Sequence, residues 1–282
     1  IRAKKLMTVH KKMDEADIEL FSLGDVVING NVEAGVVINA GKSLTVEGVV
    51  ESATITAGGD VCLKRGMQGA GKGSITAGGD VFTEFLEYTT VKTKGNVQAN
   101  VILNSQVSAD QEVTLTGKKG LIAGGSVHGM LGISCITAGN MSEIRTGLHV
   151  GLKQETMEQR IDVNERYSKV NQELEDTVAS MAKIMRVRQQ SGELSEPLQK
   201  HLVELKRRKD EIYTRCMEIK KEANAMESMV LAAREAKIRV EGNIYHGVVI
   251  SIDNHDMVIN RDTSFMEYQC QNGIITGTVV VV

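Results

Sequence analysis

Several residues of this chain have the types and spacings that chemistry uses. Asp25, Asp60 and Asp80 recur inside glycine-rich phrases, and carboxylates gathered on one face are what glycosidic-bond hydrolysis needs. Such sites also want aromatic sugar platforms, yet aromatics are only 3% of the residues. The three aspartates are therefore expected as a stacked, solvated row. His128 is read as the one histidine well inside the repeated region, where it could serve as the general base of acyl transfer. Val26, Val32, Ile38, Leu44 and Val50 follow the six-residue spacing of acyltransferase β-helices, but later repeats abandon it, so His128 is expected at an exposed corner. Asp253-Asn254-His255-Asp256 has the residue types of a metal site without partner ligands at supporting spacing, and reads as a polar turn. Gly69-Ala70-Gly71-Lys72-Gly73-Ser74 resembles a phosphate cradle, but lacks the Walker spacing and a following helix. Cys62 and Cys135 stand in apolar strand contexts and are expected as buried core thiols. No catalytic, cofactor-binding or metal-binding residue is assigned, and no cofactor is expected.

Composition narrows the remaining classes. The 282 residues, 41% of them hydrophobic, can fill a large core. A net charge of −3 gives no global attraction to nucleic acid or to an anionic membrane. Four widely spaced cysteines form neither a CxxC pair nor a disulfide framework, as expected for reduced thiols in a cytoplasm. No apolar run reaches the roughly 18 residues that a membrane-spanning helix needs. The chain opens on Ile1 without a signal peptide's apolar centre, so residues 1–23 are expected to be the end of a missing upstream region.

The elements that position these residues follow from an internal repeat. Thr56-Ala57-Gly58-Gly59-Asp60-Val61 recurs as Thr76-Ala77-Gly78-Gly79-Asp80-Val81, with looser copies at Ala40-Gly41, Gly95-Asn96, Ala109-Asp110, Ala123-Gly124-Gly125 and Ala138-Gly139. Apolar residues alternate within each copy, as in Ile55/Ala57 and Val61/Leu63, which puts them on one face of short strands. The glycines between strands are expected to adopt positive φ and turn the chain through a corner. A coil this short cannot bury its own inner face, so about seven coils must stack on a shared aliphatic interior.

Near Gly151 the period changes from two to helical, and charge density rises until Lys237. Leu198, Leu202, Leu205, Lys209, Ile212, Cys216, Ile219, Ala223, Met226, Val230 and Ala233 alternate steps of four and three, a heptad seam with one charged member. Val163, Tyr167, Val170, Leu174, Val178, Met181 and Met185 form the facing stripe. Gly192 suits a helix C-cap, Ser195 an N-cap and Pro197 a first turn, so two helices fold back on each other. Lys206-Arg207-Arg208-Lys209 is flanked by Glu204, Asp210 and Glu211, and reads as a solvated helix face. The β pattern resumes at Ile238. The organisation predicted is an N-terminal segment over 1–23, a β-helix over 24–152, an antiparallel coiled-coil hairpin over 153–237, and return strands over 238–282 that complete or cap the β-helix.

The Ala-Gly-Gly-Asp-Val repeats, the Gly117-Lys118-Lys119-Gly120-Leu121-Ile122-Ala123-Gly124-Gly125 segment, the charged hairpin and the return through Gly242-Asn243-Ile244-Tyr245-His246-Gly247-Val248 together resemble the flagellar assembly protein A family. The resemblance implies a mainly β fold, a right-handed parallel β-helix interrupted by a coiled coil. It also implies a bacterial, cytoplasmic protein that acts without enzymatic chemistry, in flagellar assembly or polar organisation, through protein partners. His246 stands where a proline is common in that family. A homo-oligomer through the coiled coil or the solenoid ends is compatible with this reading, and nucleic acid and membrane insertion are not expected. The competing readings are a β-helix acyltransferase and a self-assembling filament protein.

Overall fold

The computed structural model describes the backbone of residues 6–9 and residues 19–280. The expected upstream segment, residues 1–23, lies largely outside the described residues. The chain forms two compact units, one running through Leu152 and resuming at Ala233, the other spanning Lys153–Ala232.

The first unit is a β-solenoid of about seven turns with three faces. On the first face Val26, Leu44, Val61, Val81, Val97, Val113, Ile133 and Ile238 stack in parallel register. Val32, Val50, Met67, Leu86, Ile102, Ile122, Ala138 and Ile244 form the second column. The third runs from Leu20 through Ile38, Ile55, Ile75, Val91, Val107, Val127 and Leu148 to Ile250. All of these side chains are buried. Period-two alternation delivers one apolar side chain inward at every second residue, and β-branched residues suit the pleated surface. Burying each Val, Leu, Ile or Met among them stabilises the stack by roughly 1.5–3 kcal/mol before the cost of ordering the chain.

The stack begins upstream of the first glycine corner. Glu19–Ser22 pairs with Val37–Ala40, and Leu20 joins the core, so alternation marks the start of the solenoid better than Gly24 does. At the other end Lys237–Ile244 lies parallel on Gly132–Cys135, and Val249–Ile252 lies parallel on Thr146–Val150. Pairing then reverses. His255–Val258, Thr263–Gln271 and Ile274–Val279 all return antiparallel, and Tyr268 is buried opposite Ile238. The last segment therefore completes a coil and then caps it, which removes a parallel edge that would otherwise template another chain.

The chain leaves the solenoid after Val150 and returns at Lys237, at the same corner where other coils carry Ala-Gly-Gly-Asp. Between them lie helix α1 (Gln154–Ser191) and helix α2 (Glu196–Ala233). Gly192, at φ 80°, ends α1 and donates its N–H to the Arg188 carbonyl. Ser195 precedes α2, and its carbonyl accepts from Gln199 N–H at 3.0 Å. Arg160–Glu227, Arg166–Glu222 and Glu173 with Arg208 and Arg215 pair across the helices in antiparallel order.

All eleven expected seam positions of α2 are buried or half-buried. The stripe of α1 differs from expectation after Leu174. Val178 and Met185 are 47% and 42% exposed, and Thr177 and Ile184 occupy the seam instead, at 6% and 8%. Heptad spacing requires a step of three at this point, and Thr177 satisfies its hydroxyl on the Glu173 carbonyl at 2.8 Å, which leaves its methyl free to pack. Thermal unfolding followed by helical circular dichroism tests this register. Thr177→Lys should cost about 2 kcal/mol or more by burying a charge, whereas Val178→Lys should stay within about 0.5 kcal/mol. Equal losses in the two variants would place the seam elsewhere.

Candidate functional site

The aspartates of the repeat stand immediately before the strands of the first face, and each reaches the next coil. Asp25 Oδ1 accepts from Ser43 N–H at 3.1 Å, and Ser43 Oγ accepts from Asp60 N–H at 3.1 Å. Asp60 Oδ1 then accepts from Asp80 N–H at 2.8 Å, and Asp80 Oδ1 accepts from Asn96 N–H at 2.7 Å and from its side-chain amide at 3.1 Å. Asn96 continues the ladder to Glu112 N–H at 3.2 Å. The row is stacked as expected, but it is a hydrogen-bond ladder rather than a merely solvated edge.

This ladder corrects the account of the glycines. Gly58, Gly59, Gly78 and Gly79 do not adopt positive φ. They are required because corners stack closely: a Cβ on Gly78 would overlap the Gly58 carbonyl, and one on Gly79 would overlap the Asp60 carboxylate. Among the repeat copies the expected positive φ occurs at Gly124, Gly125 and Gly139, at 78°, 81° and 80°. Gly124 aligns there with Asn104 and Tyr88, which share the left-handed conformation between the second and third faces.

On the outer side of the third face, four coils line a groove of about 390 Å³ bounded by Gln106, Ser126, Arg145, His149, Val249 and Asp256. His128 pairs with His149, and His149 with Ser251, so the two histidines stack on adjacent coils. His128 is not an exposed corner residue: it is the penultimate residue of the strand Leu121–Gly129, half-buried, with Nε2 3.0 Å from the Gly151 carbonyl. A carbonyl only accepts, so Nε2 carries the proton and is committed to the backbone. His149 is the groove's own imidazole, and a Cβ on Gly147 would lie 2.5 Å from its Nε2. Burial holds His149 below its ordinary pKa against the opposing field of Asp256, so the ring is neutral at pH 7. The groove thus offers a neutral imidazole, a hydroxyl, an amide, a guanidinium and the Asp256 carboxylate, an array suited to polar hydrogen bonding. Reading His128 as the one repeat histidine missed His149, which aligning Val127-His128 with Leu148-His149 would have exposed.

The other candidates are separated. Asp253 and Asn254 form a two-residue hairpin turn at φ 50° and 63°, and His255 Nδ1 bonds the Asp253 carbonyl at 2.9 Å. Among the described residues no group of three or more His, Cys, Asp or Glu side chains converges as metal ligands would. Residues 69–74 lie within one long strand, Val61–Ala77, as an irregularity in its register. Cys135 is buried, and desolvation, with a smaller contribution from Glu241, pushes its thiol to about 12. Cys62 is not a core thiol: it aligns with Thr45 and Phe82 on the outer side of the first face, where Val61 and Leu63 turn inward. The basic run of α2 is held by ion pairs, Arg207 to Glu204 and Glu211 and Arg208 to Glu173. No helix of the described residues is long and apolar enough to cross a membrane.

The family model of the Flagellar Assembly Protein A beta solenoid domain matches residues 20–275. The chain belongs to that family. No curated protein and no solved structure gave a match. In this flagellar assembly protein A solenoid, His246 makes a bond that a proline could not. Its N–H donates to Asp262 Oδ1 at 2.9 Å, its Nδ1 lies 3.1 Å from the same oxygen, and its Nε2 lies 3.0 Å from Glu143. Three loops of the solenoid's C-terminal end are clasped by one imidazole ring.

Two predictions follow from these contacts. Asp80→Ala should lower unfolding stability by about 1 kcal/mol, because Asn96 loses its acceptor, whereas Asp80→Asn keeps an acceptor and should fall within about 0.5 kcal/mol. Equal losses in urea melts would deny the ladder its role. Asp262 and then Glu143 raise the pKa of His246 above 6.5, and His246 lowers that of Asp262 below 3.8. The clasp therefore contributes fully below the unfolded histidine value and is lost as pH rises through the raised folded one. At the acid end it is lost as pH falls through the depressed Asp262 value. The melting-temperature difference between the protein and His246→Ala should be larger at pH 6 than at pH 9, and a pH-independent difference would reject the clasp.

Proposed function

We propose that this chain is a non-enzymatic scaffold of bacterial flagellar assembly, cytoplasmic and acting at the cell pole, which holds protein partners. The reading is carried by one observation: the α1–α2 hairpin bears large apolar side chains on its outer surfaces, with Ile161, Val203, Tyr213 and Leu231 each more than half exposed. Exposed apolar residues of this size along a charged helical element are what a protein-contacting surface requires. Two further features support it. The repeat's carboxylates are engaged in holding coils together, and His128 is committed to a backbone carbonyl. The family name ties the reading to flagellar assembly.

The experiment replaces residues 153–232 by a short glycine-serine linker in a flagellated host that carries this gene. Flagellar number, counted by electron microscopy, should fall although strand circular dichroism of the purified variant persists. Normal flagellation in that strain would contradict the reading. A stoichiometric calorimetric signal with acetyl-coenzyme A, lost in His149→Ala, would replace the scaffold by the acyltransferase alternative.

A further inference from the structure

The outer side of α2, opposite its seam, carries a second pattern. Val203, Asp210, Met217, Asn224 and Leu231 are spaced by seven and therefore line up along one edge of the helix. Val203, Met217 and Leu231 are 67%, 48% and 54% exposed, and Tyr213, one turn before Met217, is 53% exposed. Isolated exposed apolar residues are ordinary, but three at an identical heptad position, symmetrically placed about Met217, are not explained by the intramolecular seam.

The order of residues about Met217 identifies the occupant. If a second α2 lies antiparallel across a two-fold axis at Met217, residues equally far before and after it meet. Val203 then faces Leu231, Arg207 faces Glu227, Asp210 faces Asn224, and Tyr213 faces Lys221. These are an apolar contact, an ion pair, a hydrogen bond and a cation–π contact, and Met217 packs on itself at the axis. A two-fold interface must be self-complementary in this way, whereas a surface for an unrelated protein has no reason to be. Arg207 already holds Glu204 and Glu211, and Glu227 already holds Arg160, so the intermolecular pair would extend an existing ion network. One pair opposes the arrangement: Lys200 would face Arg234 at the margin, and Lys200 is already neutralised by Glu196.

We propose that α2 is a self-association surface, on which two copies of this chain pair antiparallel through Val203, Tyr213, Met217 and Leu231. The contact spans about 40 Å of helix, from the rise of roughly 1.5 Å per residue. It turns two hairpins into a four-helix arrangement, in which each thin two-helix seam gains a further packed face. The pairing does not rest on the scaffold reading, since an enzyme could dimerise in the same way.

Sedimentation velocity of the full chain tests it. The protein should be a dimer at tens of micromolar, Met217→Leu should remain one, and Met217→Glu, which sets two carboxylates on the axis, should be monomeric with unchanged helix content. Val203→Glu and Leu231→Lys should each weaken association by roughly tenfold or more, because each introduced charge would face an apolar residue. Mixing these two variants should restore a dimer, since the introduced charges then meet each other. A monomeric wild-type chain, a dimeric Met217→Glu, or a mixture that stays dissociated would each overturn the proposal.

Discussion

Along one corner of the solenoid's earlier coils a short polar side chain reaches up to the backbone of the next coil, and glycine leaves the room for that reach. Parallel β-stacking bonds the flat faces, but at a corner the strands end, and their backbone donors must find other acceptors. Here the corner glycines donate to carbonyls of the coil below, as Gly78 does to Ala57 and Gly79 to Gly59, and the residue that follows donates to short polar side chains in a column, from Asp25 through Ser43, Asp60 and Asp80 to Asn96. A Cβ on Gly79 would occupy the space the Asp60 carboxylate needs. Glycine and aspartate are thus one device, and the Gly-Gly-Asp phrase repeats because the device does.

The hairpin enters at that same kind of corner, which explains how a solenoid tolerates a long insertion. The polar ladder has already ended at Glu112, so the corner interrupted between Val150 and Lys237 depends on no carboxylate from below. Strand pairing of Gly132–Cys135 with Lys237–Val240 resumes without a shift in the core column. The clasp of His246 with Asp262 and Glu143 adds polar cohesion to the last coil, where no further coil supplies it.

Much of this was legible in the residues, and what was not has physical causes. Alternation located the strands, and the heptad of α2 held along its whole length because all its members but Lys209 are apolar. The stripe of α1 was misread after Leu174 since Thr177 does not look like a seam residue; only its hydroxyl's bond to Glu173 makes it one. The aspartate row was visible from spacing, but its purpose needs the neighbouring coil, 16 to 20 residues away. The same holds for the glycines, whose positive φ was a local expectation and whose close approach is a long-range fact. Cys62 could have been placed outward from Val61 and Leu63 alone. The His149 groove could not, because it needs four coils in register and the absence of a side chain at Gly147.

Hydrogen exchange of individual backbone amides tests the corner ladder most directly. The N–H groups of Asp60, Asp80 and Asn96 lie at exposed corners, yet each donates to a side chain of the coil below. They should exchange with protection close to that of the neighbouring strand amides, and Asp80→Ala should release Asn96 while leaving Asp60 protected. Exchange at the rate of an open loop in the unmodified protein would contradict the account, because these three donors would then have no acceptor in the side-chain column.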